Sequence, residues 1–269
     1  MLFRSSPSPG GMNVRLATWN VNSIRARLDV LLNWLRQDGP DVVCLQETKV
    51  TDDLFPHEPL AAFGYAAAYT GQRAYNGVAI LSRLPIDEVL LALPQAPDVD
   101  EKRFIAATIQ GIRIANVYVP NGQSVDSPKF AYKLAWLTCL QTFLSTHHTP
   151  ADDLVLCGDF NIAPEARDVY DPQGLDGEVL FHPDERAAFA HLLEWGLGDT
   201  LRLHHEDAGL YSWWDYRGGA FRRNLGIRID HILATPSLAQ RCTAVTLERA
   251  LRRLPKPSDH IPVVATFEM

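Results

Sequence analysis

Residues 154–161 read LVLCGDFN, a short apolar run that passes through a glycine into an acid, an aromatic ring and an amide. A run of this length bounded by turn residues reads as a buried strand. Its chemistry sits at its end, where Asp159 and Asn161 follow. The same grammar extends outward along the chain. Short β-rich runs recur at 14–19, 41–46, 77–82, 104–109, 112–119, 228–234 and 262–267, each with turn residues at its borders. Most carry polar groups where the run stops. WNVN ends in Asn20 and Asn22, CLQETK leads to Glu47, and NVYVPNG holds Tyr118 and Asn121. SDH sets Asp259 and His260 before the last run, and RIDHILAT puts Asp230 within another.

One aspartate at a strand end is an ordinary turn former. Half a dozen polar strand ends in one chain are harder to dismiss, because sheet ends converge and function concentrates on loops held by a rigid scaffold.

Between the strands, helical periodicity is plain in three places. Ile24, Leu28, Leu31, Leu32 and Leu35 form one stripe over 24–37, with Ser23 as cap and Gly39-Pro40 as stop. Ser127-Pro128 opens a second helix that carries Phe130, Leu134, Leu137, Leu140 and Leu144. A third covers 183–195. No linker or composition break follows residue 12, so one mixed α/β domain is expected over 13–269. The Ser/Pro/Gly-rich residues 1–12 before it are expected to be disordered, with Met12 as an alternative start.

The 269 residues are 46% hydrophobic and 21% charged, which excludes a disordered or collagen-like chain. No stretch approaches the ~20 apolar residues of a membrane helix, and MLFRSSPSPGGM lacks the apolar core of a signal peptide. A cytoplasmic protein with no membrane partner is expected. Cys44, Cys139, Cys157 and Cys242 are far apart and form no CxxC pair, so neither a zinc site nor a disulfide framework is indicated. Cys44 and Cys157 sit in apolar runs as small core side chains.

A net charge of −7 argues at first sight against nucleic acid, since phosphate binding leaves a basic footprint. The distribution argues the other way. Residues 211–260 hold nine Arg or Lys against four acids, a net of +5, and the remainder is −12. One basic face is expected, with Arg249–Lys256 equally readable as a solvated helix face.

As chemistry, the strand-end set contains the hard oxygen donors Glu47, Asp159 and Asp259, the amide carbonyls of Asn20 and Asn161, and His260. That inventory suits magnesium or manganese. Zinc prefers sulfur or several histidines, and calcium a denser carboxylate cage. Magnesium commonly meets phosphate oxygens, which points to phosphoester hydrolysis.

At these residues the chain resembles the exonuclease III family of DNA-repair nucleases, within the endonuclease/exonuclease/phosphatase superfamily that includes deoxyribonuclease I. GDFN (158–161) and SDHIPV (258–263) mark the superfamily at large. WNVNSIRAR (19–27), LQETK (45–49), YVPNG (118–122), YSWWDYR (211–217) and GIRIDHILATP (226–236) mark the nuclease branch.

The resemblance implies a four-layer α/β sandwich, two packed mixed β-sheets flanked by helices, with the active site at one end. It implies Glu47 as principal metal ligand, helped by Asn20 and Asp259. Asp159 would handle the attacking water, Asn161 would hold it and the transition state, and Tyr118 would donate to the phosphate. His260 would bind the phosphate or act as base, oriented by Asp230, and the ligand set extends to Asp159, Asn161 and His260. Those roles match the charge that develops on phosphate oxygens during in-line attack. Trp213, Ile227 and Ile229 take the positions of an apolar pocket for a sugar swung out of the duplex. Asn22, Arg25, Asn121, Arg222 and Arg223 complete the expected DNA contacts. The function implied is a divalent-metal-dependent exodeoxyribonuclease and abasic-site endonuclease, monomeric, acting on double-stranded DNA with abasic sites or 3′ ends. The alternatives are a nonenzymatic RNA- or protein-binding member of the fold, and a phosphatase or lipid phosphodiesterase of the superfamily. The His147-His148 and His204-His205 pairs have no motif context and are expected in solvent.

Overall fold

Two six-stranded sheets pack face to face in the computed structural model, which describes residues 13–98 and 100–269. The first contains β1 (Asn13–Asn20), β2 (Val42–Gln46), β3 (Ala66–Thr70), β4 (Val78–Ser82), β11 (Cys242–Leu247) and β12 (Val263–Glu268), in the order β11-β12-β1-β2-β4-β3. The second contains β5 (Asp87–Leu90), β6 (Phe104–Ile109), β7 (Ile112–Tyr118), β8 (Leu154–Asp159), β9 (Gly198–Asp199) and β10 (Asp230–Ala234), in the order β5-β6-β7-β8-β10-β9.

Both sheets follow one plan. A central parallel pair, β1–β2 in the first and β7–β8 in the second, is flanked on each side by antiparallel strands. Parallel neighbours need a crossover. It is supplied by α1 (Ile24–Asp38) between β1 and β2, and by α3 (Pro128–His147) between β7 and β8.

Leu16, Val42, Cys44 and Ile80 of the first sheet meet Ile105, Ile114, Val155, Cys157 and Ile232 of the second in the central core. The opposite face of the first sheet packs Ala17, Trp19 and Leu45 on Ile24, Leu31 and Leu35 of α1, with Leu60 of α2 (His57–Ala61). The second sheet packs Ala115 and Leu156 on Leu137, Leu140 and Leu144 of α3 and on Phe189 and Leu192 of α4 (Pro183–Glu194). Strands buried on both faces read as continuous apolar runs, as LVLC does. The four-layer expectation is met, and Cys44 and Cys157 are fully buried core residues.

The eight expected strands and three helices are present with shifted ends. Ser23 caps α1 by accepting from Ala26 N at 3.4 Å, and Ser127 caps α3 by accepting from Lys129 N at 3.1 Å. Unforeseen were β3, β5, β9 and β11, together with α2, α5 (Thr200–His204), α6 (Ala220–Arg223) and α7 (Pro236–Arg241). The expected disorder of residues 1–12 lies outside the described residues. Among those described, no helix is long and apolar enough to cross a membrane.

Candidate active site at the ends of the central strands

The two parallel pairs deliver their C-terminal ends to one place. Asn20 of β1 stands beside Gln46 of β2, whose chain continues into Glu47, and Tyr118 of β7 stands beside Asp159 of β8, itself opposite Asp230 of β10. Close approach is enforced by Gly158, where a Cβ would fall 1.9 Å from the Val117 carbonyl oxygen. Positive φ angles cluster here: 44° at Asn22, 52° at Glu47 and 50° at Asn161. Non-glycine residues adopt such angles at a cost that the surrounding structure must offset, and they gather at functional sites.

Asn20 bridges the sheets. Its Nδ2 donates to Glu47 Oε1 and to Asp159 Oδ2, both at 2.9 Å, while its Oδ1 accepts from Asn22 N at 2.9 Å. Asp159 Oδ1 accepts from Asn161 N at 2.9 Å. Asn161 Nδ2 donates to the Val119 carbonyl at 3.0 Å and its Oδ1 accepts from Asn121 Nδ2 at 3.0 Å. Each of the two amide carbonyls expected to ligate a cation thus accepts one N–H and keeps a second lone pair, and Asn20 also orients two carboxylates.

Facing Asp159, His260 Nε2 lies 3.8 Å from Asp159 Oδ2 and its Nδ1 is 2.8 Å from Asp230 Oδ2. Next to it, Asp259 accepts from Asn22 Nδ2 at 3.0 Å and from Trp213 Nε1 at 3.0 Å. Asp159, Asp230 and His260 offer donor atoms within 4.8 Å of one another, all buried, and Asp230 Oδ1 has no hydrogen-bond partner among the described residues.

The electrostatics separate these groups. Burial opposes charge on His260, yet Asp230 and Asp159 outweigh it and hold its pKa up at about 10, so the ring is an imidazolium at neutral pH. Burial pushes Asp159 to about 7 against the pull of His260, with Asp230 and Glu47 adding to the rise. Burial would also raise Glu47, but Lys49, whose Nζ is 2.6 Å from Oε2, holds it below the ordinary carboxylate range with help from Asn20. Asp259 is likewise held low, against burial, by His260, Asn22 and Trp213. Burial and the neighbouring Glu47 and Asp159 keep the Tyr118 phenol well above its usual value, so it remains an O–H donor.

The outer candidates divide. Arg25 is exposed beside a 250 Å³ hollow that it shares with Lys49 and Arg73. Exposed Arg222 lines another of 290 Å³ with Tyr216, Phe221 and Arg252, and Arg223 is also in solvent. A 480 Å³ hollow opens beside Tyr118 and Asn121, walled by Arg103, Lys129 and Tyr132. Trp213 is half-buried, whereas Ile227 and Ile229 are packed with Ala163, Val169, Leu180 and Phe181 in a closed apolar cluster. A further hollow of 690 Å³, around Arg113, His147 and His148, lies at the opposite ends of β7 and β8, away from this chemistry.

Three charge readings need correction. Arg228 is buried against Asp168 and Asp199 and adds nothing to a basic surface. Residues 249–253 form a 3-10 turn in which Arg249 and Arg252 lie over Trp214, Tyr216 and Phe221, so they cover rings and do not form a solvated helix face. His148 and His205 are partly buried, with His205 Nε2 at 2.9 Å from the Val245 carbonyl, whereas His147 and His204 are exposed as expected.

Several contributors carried no clear signal. Lys49 and Ser258 lay inside quoted motifs unremarked; Ser258 Oγ donates to the Asn20 carbonyl at 2.7 Å and accepts from His260 N at 3.2 Å. Arg27 donates to the Asn22 carbonyl at 2.7 Å and to Tyr216 Oη at 2.7 Å.

Known proteins agree with this picture. Residues 17–260 match the endonuclease/exonuclease/phosphatase family. The exodeoxyribonuclease III of Haemophilus influenzae is 33% identical, covering 95% of this chain and 100% of that protein. Among solved structures, the 3′ phosphatase NExo from Neisseria bound to a product DNA hairpin superposes with a TM-score of 0.92 at 44% identity, over 95% of this chain and 100% of that one. An AP endonuclease from Archaeoglobus fulgidus gives 0.92 at 43% identity with the same coverage.

Proposed function

The chain belongs to the endonuclease/exonuclease/phosphatase family, and from that footing we propose that it is a divalent-metal-dependent DNA-repair nuclease. It cleaves the phosphodiester 5′ to abasic sites and removes nucleotides or blocking groups from 3′ ends of duplex DNA. The observation that carries this reading is the meeting of Asp159, backed by Asn20 and Asn161, with the His260–Asp230 pair and the Tyr118 hydroxyl at one sheet end. A nonenzymatic binding protein has no need of a buried imidazolium facing a carboxylate.

The residues divide the work. Asp159, held by two donors, accepts the proton of the attacking water. His260 and Tyr118 supply positive and hydrogen-bonding character to the phosphate oxygens as charge develops. Asp230 keeps the imidazole oriented and charged. The guanidinium groups of Arg25, Arg222 and Arg223 contact backbone phosphates without reading sequence, and Asn22 and Asn121 contact the strand near the scissile bond.

The donor set fits magnesium or manganese. It is oxygen-rich, and a cation would offset the burial that does most to raise Asp159 and the repulsion that Asp230 and Glu47 add. Glu47 would hold it, with Asp259 and Asp159. When bound, the metal supplies Lewis-acid stabilisation of the phosphate. The protein is proposed to act as a monomer in the cytoplasm, associated with the nucleoid through DNA. Assay of abasic, recessed-3′ and inositol-phosphate substrates with magnesium or EDTA tests the proposal. Inositol-phosphate hydrolysis without DNA cleavage would move the chain to the phosphatase branch, and binding without any hydrolysis to the nonenzymatic one.

A further inference from the structure

Lys133 sits in the second turn of α3, on a helix whose charged residues would be expected in solvent, yet it is 0% exposed. Its ammonium has three donors and three partners. It pairs with Glu185 of α4, also 0% exposed, and donates to the Asn161 carbonyl at 2.6 Å and to the Asn121 carbonyl at 3.2 Å. Glu185 Oε2 in turn accepts from His182 N at 3.0 Å, closing the first turn of α4. Gly122 leaves room for the stem, since a Cβ there would come within 3.3 Å of Lys133 Cδ.

Asn161 and Asn121 are thus joined twice, by their side-chain amides and by one ammonium that binds both carbonyls. A buried ion pair contributes little net stability relative to well-packed apolar residues of similar volume. Its advantage is directional, because each bond fixes the position of a particular oxygen. Asn161 has the φ of 50° that such an external hold sustains, and its N–H meets Asp159.

We propose that Lys133 is a positioning residue of the nuclease centre: by pinning the main chain of Asn161 and Asn121 it sets where the Asn161 amide stands relative to Asp159. This rests on the phosphodiesterase reading above. Lys133 touches no reacting atom and acts through Asn161, with Glu185 keeping its charge in place.

Lys133→Met strands the Glu185 carboxylate, so Lys133→Met/Glu185→Met is made beside it to keep a filled, neutral core. Lys133→Gln, which retains a donor in nearly the same space, is the milder third variant and is expected to fall between the parent and Lys133→Met. Turnover on recessed-3′ and abasic duplexes is measured in the parent and in an Asn161→Ala background, with thermal melting of every variant. The double Met variant is expected to lose about 10²-fold in kcat with KM little changed. In the Asn161→Ala background the same change should cost no more, because the two act as one unit. Amide hydrogen exchange at 119–123 and 160–163, read without substrate, should rise. Parental kcat in a folded double Met variant, an additive loss on Asn161→Ala, or unchanged exchange in both loops overturns the proposal. A parent without metal-dependent nuclease activity would instead sink the functional reading, and the exchange measurement then judges the brace alone.

Discussion

Asp230 Oδ2 lies 2.8 Å from His260 Nδ1, with both side chains buried, and this contact turns the opposite ring nitrogen toward Asp159. One residue on β10 in the second sheet therefore governs the charge and direction of another that precedes β12 in the first. The site is assembled across the two sheets, not within one of them.

Asp230→Asn removes the anion that does most to keep His260 protonated. The His260 pKa then falls, so the imidazolium is lost at lower pH and the alkaline limb of the kcat/KM profile moves toward neutrality. Turnover should drop by about 10²-fold, the scale of a proton-handling group. An alkaline limb that stays in place would show that His260 does not act as the charged form.

Glu47→Gln and Asp159→Asn should fail in different ways. With Glu47 as the proposed metal ligand, Glu47→Gln should weaken cation binding and leave the fold intact, so activity should fall steeply at limiting magnesium and recover in part when magnesium is raised. Asp159→Asn keeps the steric shape but deletes the carboxylate proposed to serve the water, so kcat should fall about 10²-fold or more with DNA affinity largely kept. Magnesium titrations and binding isotherms on both variants separate the roles; equal activity of Glu47→Gln and parent at limiting magnesium would remove Glu47 from the metal site.

Trp213 has two jobs that substitution can divide. Trp213→Phe keeps a ring beside Ile227 and Ile229 but loses the N–H bond to Asp259, and it should lower cleavage of all substrates alike. Trp213→Ala also opens the apolar cluster and should hit abasic duplex more than recessed 3′ ends. Equal losses on the two substrates in Trp213→Ala would refute a sugar pocket at this position.

Arg222→Ala with Arg223→Ala should weaken binding to intact and abasic duplex by the same factor and flatten the dependence of affinity on salt, since phosphate contacts release counterions but carry no lesion information. Fluorescence anisotropy at several salt concentrations reads both quantities. An unaltered slope would put the DNA-binding face elsewhere.

Acid stability should depend on His231, which is fully buried behind the site. Burial, reinforced by Arg228, lowers its pKa to about 4; Arg228 donates to Nδ1 at 2.9 Å and Nε2–H donates to the Ile162 carbonyl at 2.8 Å. A folded-state value below the unfolded one means that the neutral ring's contribution is complete above about 6.5 and is lost as pH falls toward 4, about 3 kcal/mol in all. Asp168, held low against burial by Arg228 and Arg202, weakens the fold only at still lower pH. Asp159, raised by burial to about 7, favours the fold as it takes a proton over the same window, so the His231 contribution is read as the difference between parent and His231→Gln in urea melts from pH 6.5 to 4, where the variant should lose about 3 kcal/mol less than the parent; parallel curves would show that His231 makes no such contribution.

The eight inner strands, the three long helices and the polar residues at the strand ends were all legible in the amino-acid pattern. A strand covered on both faces must be apolar throughout, and its chain must turn polar where it leaves the sheet, so runs such as LVLCGDFN announce both the element and the site. The four strands it concealed, β3, β5, β9 and β11, are the four sheet edges. Edge strands pair on one side only and are kept short or polar; Asp87–Leu90 is almost wholly exposed and Gly198–Asp199 has two residues, so neither has an alternation to detect. Tertiary structure alone decided which charges are interior. Lys133 and Arg228 look like surface residues in the chain, and their burial depends on Glu185, Asp168 and Asp199, brought to them from 29 to 60 positions away. Desolvating an ammonium or guanidinium is favourable only where such partners converge, and that convergence is a property of the packed sheets and helices, not of any local pattern.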